Sequence, residues 1–140
     1  QVLNAKAGLN LEFDEFARLW CDIFYPQPGM AELLTEVAAV RPVGLLSDTD
    51  PLHWEYLRRE YAWLALIPRP TLSYEIRAVK PAAETYLAAA ANVGVEPESC
   101  FFVDDLPQNV AGAEAAGLTA WRFTDAVALR EQLVNRELLT

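Results

Sequence analysis

Little in these 140 residues suits redox or soft-metal chemistry. Two cysteines, Cys21 and Cys100, are too few for a disulfide framework, and neither lies in a CxxC pair or beside histidines. A zinc site is therefore not expected, and a reduced, cytoplasmic setting is. The only histidine is His53, and no GxSxG motif surrounds any serine, which argues against a Ser-His hydrolase. Basic side chains are scarce as well. Eleven Lys and Arg stand against twenty Asp and Glu, a net charge of −9, so a phosphate backbone is excluded as partner and no nucleic acid is expected. No apolar run approaches the roughly 18 residues of a membrane span, and the N-terminus lacks the basic and apolar regions of a signal peptide. The chain starts at Gln1 and holds one methionine, Met30, so a fragment, a processed chain or a trimmed one is expected.

What is present is a globular composition, 53% hydrophobic with four Trp, in a length that supports one core. Phe13, Phe16, Ala17, Trp20, Ile23 and Phe24 recur at helical spacing. A second helix is expected from Pro28, with Leu33, Leu34 and Val37 inward. VGLLS (43–47) reads as a strand buried on both faces, and Asp50-Pro51 as an N-cap and first helical residue. LSYEIR (72–77) reads as a second strand, followed by Lys80-Pro81 and an alanine-rich helix to about Asn92. CFFV (100–103) and LTAWRF (118–123) are further strands around a helix from Pro107 to Ala116, and a last helix follows Asp125. Strands alternating with helices predict an α/β fold with a Rossmann-like parallel sheet. Function in such sheets gathers at the carboxyl ends of strands. Ser47-Asp48, Lys80 and Asp104-Asp105 all lie there.

FFVDD (101–105) runs a buried strand into two adjacent carboxylates. Two such charges repel unless a cation accompanies them. They either decorate a helix N-terminus favourably or serve as hard oxygen ligands for Mg²⁺. Lys80 is either solvated punctuation or a point charge for a phosphate or carboxylate. Ser47 is either a strand-end turn residue or a phosphate-binding hydroxyl.

The order LLSDTD, then VKPAAETYLAAAANVGVEPESCFFVDDLPQNVAGAEAAG, then LTAWRF resembles the C-terminal two-thirds of a haloacid dehalogenase-like (HAD) hydrolase. The likeness is to the phosphatase-like group with a small helical cap inserted early in the chain. The resemblance implies residues 1–24 as a cap remnant and 25–140 as the HAD-like core. It implies that Ser47, Asp48 and Lys80 bind phosphate, with Lys80 neutralising phosphate and nucleophile. It implies that Asp104 and Asp105 hold Mg²⁺ and that Asn109 steadies their loop. The substrate would be a small phosphorylated metabolite, hydrolysed through an aspartyl-phosphate.

The family's first motif, a strand ending in DxDx[TV], is absent from the 140 residues, and FDEF (13–16) does not replace it. Asp48 stands where the family commonly has Asn, and Ala82 where it often has Asp. The motif-one strand would lie between the strands at 43–47 and 100–103, leaving them about 9.6 Å apart, two hydrogen-bonding spacings. Backbone groups buried there without partners would cost about 1–3 kcal/mol each. Three outcomes are expected to fill or close the slot: an N-terminal part of the natural protein outside these 140 residues, which Gln1 at the start favours, a strand from the QVLNA segment or from another chain in a homodimer, or direct pairing of the two strands. The competing reading is a non-catalytic HAD-like remnant that binds or dimerises.

Overall fold

The computed structural model describes Lys6, Gly8 and residues 11–140. The first amphipathic stripe forms α1 (Phe13–Cys21). Gly29, at φ 79°, turns the chain into α2 (Met30–Ala38), a left-handed conformation that costs glycine little. Strand β1 is confined to Leu46–Ser47. Asp50 caps α3 (Pro51–Glu60) by accepting from the Leu52 and His53 amides, with Pro51 opening the first turn. A 3₁₀ turn over Ala62–Leu66 leads to β2 (Thr71–Leu72).

The strand expected over 72–77 is corrected at this point: Ser73–Ile76 forms a single helical turn, α4. The Ser73 hydroxyl accepts from the Thr49 amide at 2.9 Å and donates to the Thr49 carbonyl at 3.0 Å. Arg77 then closes the turn at φ 57°. Helix α5 (Ala83–Val93) ends at Gly94, φ 86°. Strand β3 (Phe101–Asp104), α6 (Pro107–Ala115), β4 (Thr119–Arg122) and α7 (Ala126–Asn135) complete the chain. Asp125 caps α7 through the Ala128 amide.

Alternation along β3 sends Phe101 and Val103 to one face, against Leu33 of α2 and Leu129 and Leu133 of α7. Phe102 goes to the other, against Tyr86 of α5 and Ala113 of α6. Helices thus cover both faces, as a parallel sheet requires. A third cluster joins Trp54 of α3, Leu64, Ile67 and Leu72, with Val43 and Leu45 beside it.

The sheet itself is in two halves. Strand β1 pairs β2 in parallel, Leu46 opposite Thr71, and β3 pairs β4 in parallel, Phe101 opposite Thr119 through Asp104 opposite Arg122. Among the described residues no strand joins β1 to β3. The expected direct pairing does not occur, and the QVLNA segment lies outside the described residues. The expectation charged the slot for burying unpaired backbone. No residue of β1 or β3 is fully buried. Helix α5 bridges the halves instead. It packs against both β1 and β2 on one side and α6 on the other, and Leu46 and Phe102 meet the same Tyr86–Ala113–Leu118 cluster.

Candidate active site

The carboxyl ends of β1 and β3 converge on one residue. The Lys80 amide donates to Asp48 Oδ1 at 3.1 Å, just beyond β1. Its ammonium donates to Asp104 Oδ2 at 2.8 Å, at the end of β3. Side-chain exposure is 13% for Lys80 and 7% for Asp104, so this pair is largely withdrawn from water. A pair in that position persists only when the remaining valences are filled. They are: Asp104 Oδ1 accepts from the Leu106 amide at 2.9 Å and from Asn109 Nδ2 at 3.0 Å. Burial works to raise the Asp104 pKa, but the bonds from Lys80, Leu106 and Asn109, with the Lys80 charge, hold it below the usual carboxylate range.

Asn109 is buried on the first turn of α6, and its carbonyl accepts from the Tyr86 hydroxyl at 2.8 Å. Tyr86 is wholly buried. Burial first, then the charges of Asp104 and Asp48, push its phenol up to about 12, so it acts as a neutral donor. On the other side, Ser73 fixes the loop after β1 through both backbone groups of Thr49.

Of the sequence candidates, Asp48, Lys80, Asp104 and Asn109 form one bonded network. Ser47 and the Asp105 carboxylate take no part in it. Ser47 ends β1 half-buried, and Asp105 is exposed, its carbonyl accepting from Arg122 Nε at 3.2 Å. The Asp48 carboxylate is engaged by the lysine backbone. Tyr86 and Ser73 were not singled out by sequence; a tyrosine in an alanine-rich helix carries no motif, and the partner of Ser73 is 24 residues away.

A magnesium ion of the kind held by one or two carboxylates plus substrate phosphate would meet an exposed Asp105 carboxylate, while both Asp104 oxygens are already bonded within the chain. The two carboxylates do not make a cage on their own. Among the described residues no group of three or more His, Cys, Asp or Glu side chains gathers to hold a metal. A cleft of about 690 Å³ lies elsewhere, between α1 and α3, lined by Arg18, Cys21, Tyr56, Arg58 and Arg59 among others. Two of its arginines are already paired, Arg58 with Glu55 and Arg59 with Glu60. No described helix is long and apolar enough to cross a membrane.

Solved structures share this arrangement of elements. A wild-type HAD family enzyme of Bacteroides thetaiotaomicron, in complex with magnesium and inorganic phosphate, matches with a TM-score of 0.74 at 23% identity, over 86% of this chain and 65% of that one. A predicted HAD-like hydrolase of Porphyromonas gingivalis matches with a TM-score of 0.74 at 23% identity, over 94% of this chain and 69% of its own. Among curated proteins, the chloroplast flavin mononucleotide hydrolase 1 of Arabidopsis thaliana is 41% identical over 54 residues, 39% of this chain and 22% of that protein. The chain thus spans about two thirds of the Bacteroides enzyme, and its match to the plant hydrolase covers about a fifth of that protein. The family model for haloacid dehalogenase-like hydrolases matches residues 5–117. With that match over most of its length and this fold, the chain belongs to the haloacid dehalogenase-like hydrolases.

Proposed function

We propose that the chain carries the phosphate- and metal-binding half of a magnesium-dependent phosphatase acting on a small phosphorylated metabolite. The observation that carries this reading is the Lys80 ammonium, held on Asp104 between the ends of β1 and β3. A fixed, poorly solvated cation at that point stabilises charge on a transferring phosphoryl group at no cost of reorganisation. Asp48 and Asp104 orient the lysine from its two ends, and the Ser47 hydroxyl is available to a phosphate oxygen. Asp105, with Asp104, would hold Mg²⁺, which when bound shields phosphoryl oxygens. The nucleophilic carboxylate would arrive on a strand entering between β1 and β3, and residues 1–24 would belong to a cap.

The split sheet favours a second reading, a binding or dimerisation module whose slot takes a strand from a second copy. Free N–H and C=O groups on β1 and β3 are the template such a strand needs. One experiment separates the two. The 140-residue chain alone, given p-nitrophenyl phosphate with and without Mg²⁺, is expected to show no turnover. When a polypeptide carrying an apolar strand that ends in DxDx[TV] is supplied with it, Mg²⁺-dependent turnover is expected, and Asp105→Ala abolishes it. Binding of the strand with no turnover supports the module instead.

A further inference from the structure

The network around Lys80 has a support that lies one layer deeper, where α5 crosses α6. Three observations meet there. Tyr86 has no exposed surface, and its ring stands edge-on to Phe102 at 5.3 Å between centroids. Its hydroxyl donates to the Asn109 carbonyl at 2.8 Å, while the side-chain amide of the same Asn109 donates to Asp104 Oδ1 at 3.0 Å. Gly112, one turn further along α6, has no room for a side chain. A Cβ there would stand 2.7 Å from Pro81 Cβ, 2.8 Å from the Pro81 carbonyl oxygen and 2.9 Å from the Tyr86 hydroxyl.

We propose that Tyr86 is a positioning residue for the Lys80–Asp104 pair, acting through Asn109, with Gly112 setting how closely α6 may approach. The inference rests on the phosphatase reading for its catalytic meaning, though not for its geometry. The Asn109 carbonyl lies in the first turn of α6, where it also belongs to the backbone that carries the side-chain amide. Holding the carbonyl from below therefore aims the amide at Asp104 from above. Gly112 is the condition for this, because a Cβ there would press on Pro81, the residue immediately after Lys80, and on the Tyr86 hydroxyl itself. The chain Tyr86–Asn109–Asp104–Lys80 then fixes the ammonium from inside the core, where water does not compete for its bonds.

Tyr86→Phe keeps the ring against Phe102 and removes only the hydroxyl. In the uniformly ¹⁵N-labelled chain, the two Asn109 side-chain amide protons are the readout. They are expected to move toward free-amide positions and to exchange at least tenfold faster, while the amides of β3, β4 and α7 keep their shifts. Unchanged Asn109 side-chain signals in a folded Tyr86→Phe chain overturn the proposal, whatever happens to overall stability. Gly112→Ala, made separately, is expected to displace the same signals further. In the double variant the two effects should be less than additive, since both act on one contact; full additivity counts against the proposal. Titrating MgCl₂ into the unaltered chain tests the other reading independently. Asp105 signals that ignore Mg²⁺ weaken the phosphatase assignment and leave the positioning result standing.

Discussion

At the scale of single residues, the site is organised by saturation of Asp104. Its two oxygens take bonds from Lys80, Leu106 and Asn109, so removing any one donor leaves a buried charge short of partners. Lys80→Met is expected to destabilise the chain by about 3 kcal/mol at pH 7, the low end for breaking a buried pair because two donors remain. The folded carboxyl holds its proton less tightly than the unfolded one, whose value is about 3.9. The contribution of the pair is therefore whole above that value and fades as acid carries the pH below it. Urea unfolding at pH 7 and pH 3 should show the gap between the parent chain and Lys80→Met narrowing at the lower pH. Lys80, Asp104 and Asn109 were legible in sequence because the order of their motifs is distinctive. Ser47 and Asp105 were legible only as types, since nothing in the described chain engages their side chains. Tyr86 was illegible, because its meaning lies in a contact 23 residues away.

Elements show a different limit. Helices α3 and α7 were readable from Asp50 and Asp125 because capping is local. The turn at 73–76 was not, because the Ser73–Thr49 bonds belong to tertiary structure. Strand β1 came out shorter than VGLLS because only Leu46 and Ser47 find ladder partners on β2. Helix α1 depends on α3 through a few polar contacts. Cys21 Sγ lies 3.8 Å from the Leu52 carbonyl. His53 Nε2 lies 3.0 Å from the Trp20 carbonyl, and its Nδ1 is 2.8 Å from Asp50. The His53 ring stacks on Trp20 at 5.5 Å. Burial, with the charge of Asp50, pushes the Cys21 thiol up, and the residue is 2% exposed, so labelling requires α1 to lift. His53→Ala is expected to speed labelling of Cys21 by a thiol reagent about tenfold. That corresponds to about 1.4 kcal/mol, in line with the loss of one or two hydrogen bonds. An unchanged rate would mean that apolar packing alone seats the helix.

For the whole molecule, the decisive fact is that the described strands form two separate two-stranded parallel sheets. The parallel order and the helices on both faces were readable from the alternation of patterns. The open seam was not, because strands read as buried on both faces are only partly buried. The Cys100 and Asp104 carbonyls accept from the amides of Thr119, in β4, and Phe123, just after it, so alternation turns the backbone groups of Phe101 and Val103 away from β4 and toward the seam. The Val103 amide is expected to exchange with solvent orders of magnitude faster than those of Phe102 and Asp104. A strand bound in the seam should protect it, which makes Val103 a direct reporter of occupancy by any partner. Equal protection of all three amides in the chain alone would show that the seam is already filled.

Lys80 also acts as a ruler. Its amide is tied to one half of the sheet and its ammonium to the other, so four methylene groups span the interval between them. Replacing it with a shorter diamine analogue should draw the halves together or release one of them, and arginine should overshoot Asp104. The length of a single side chain thus links the loop after β1 to the end of β3.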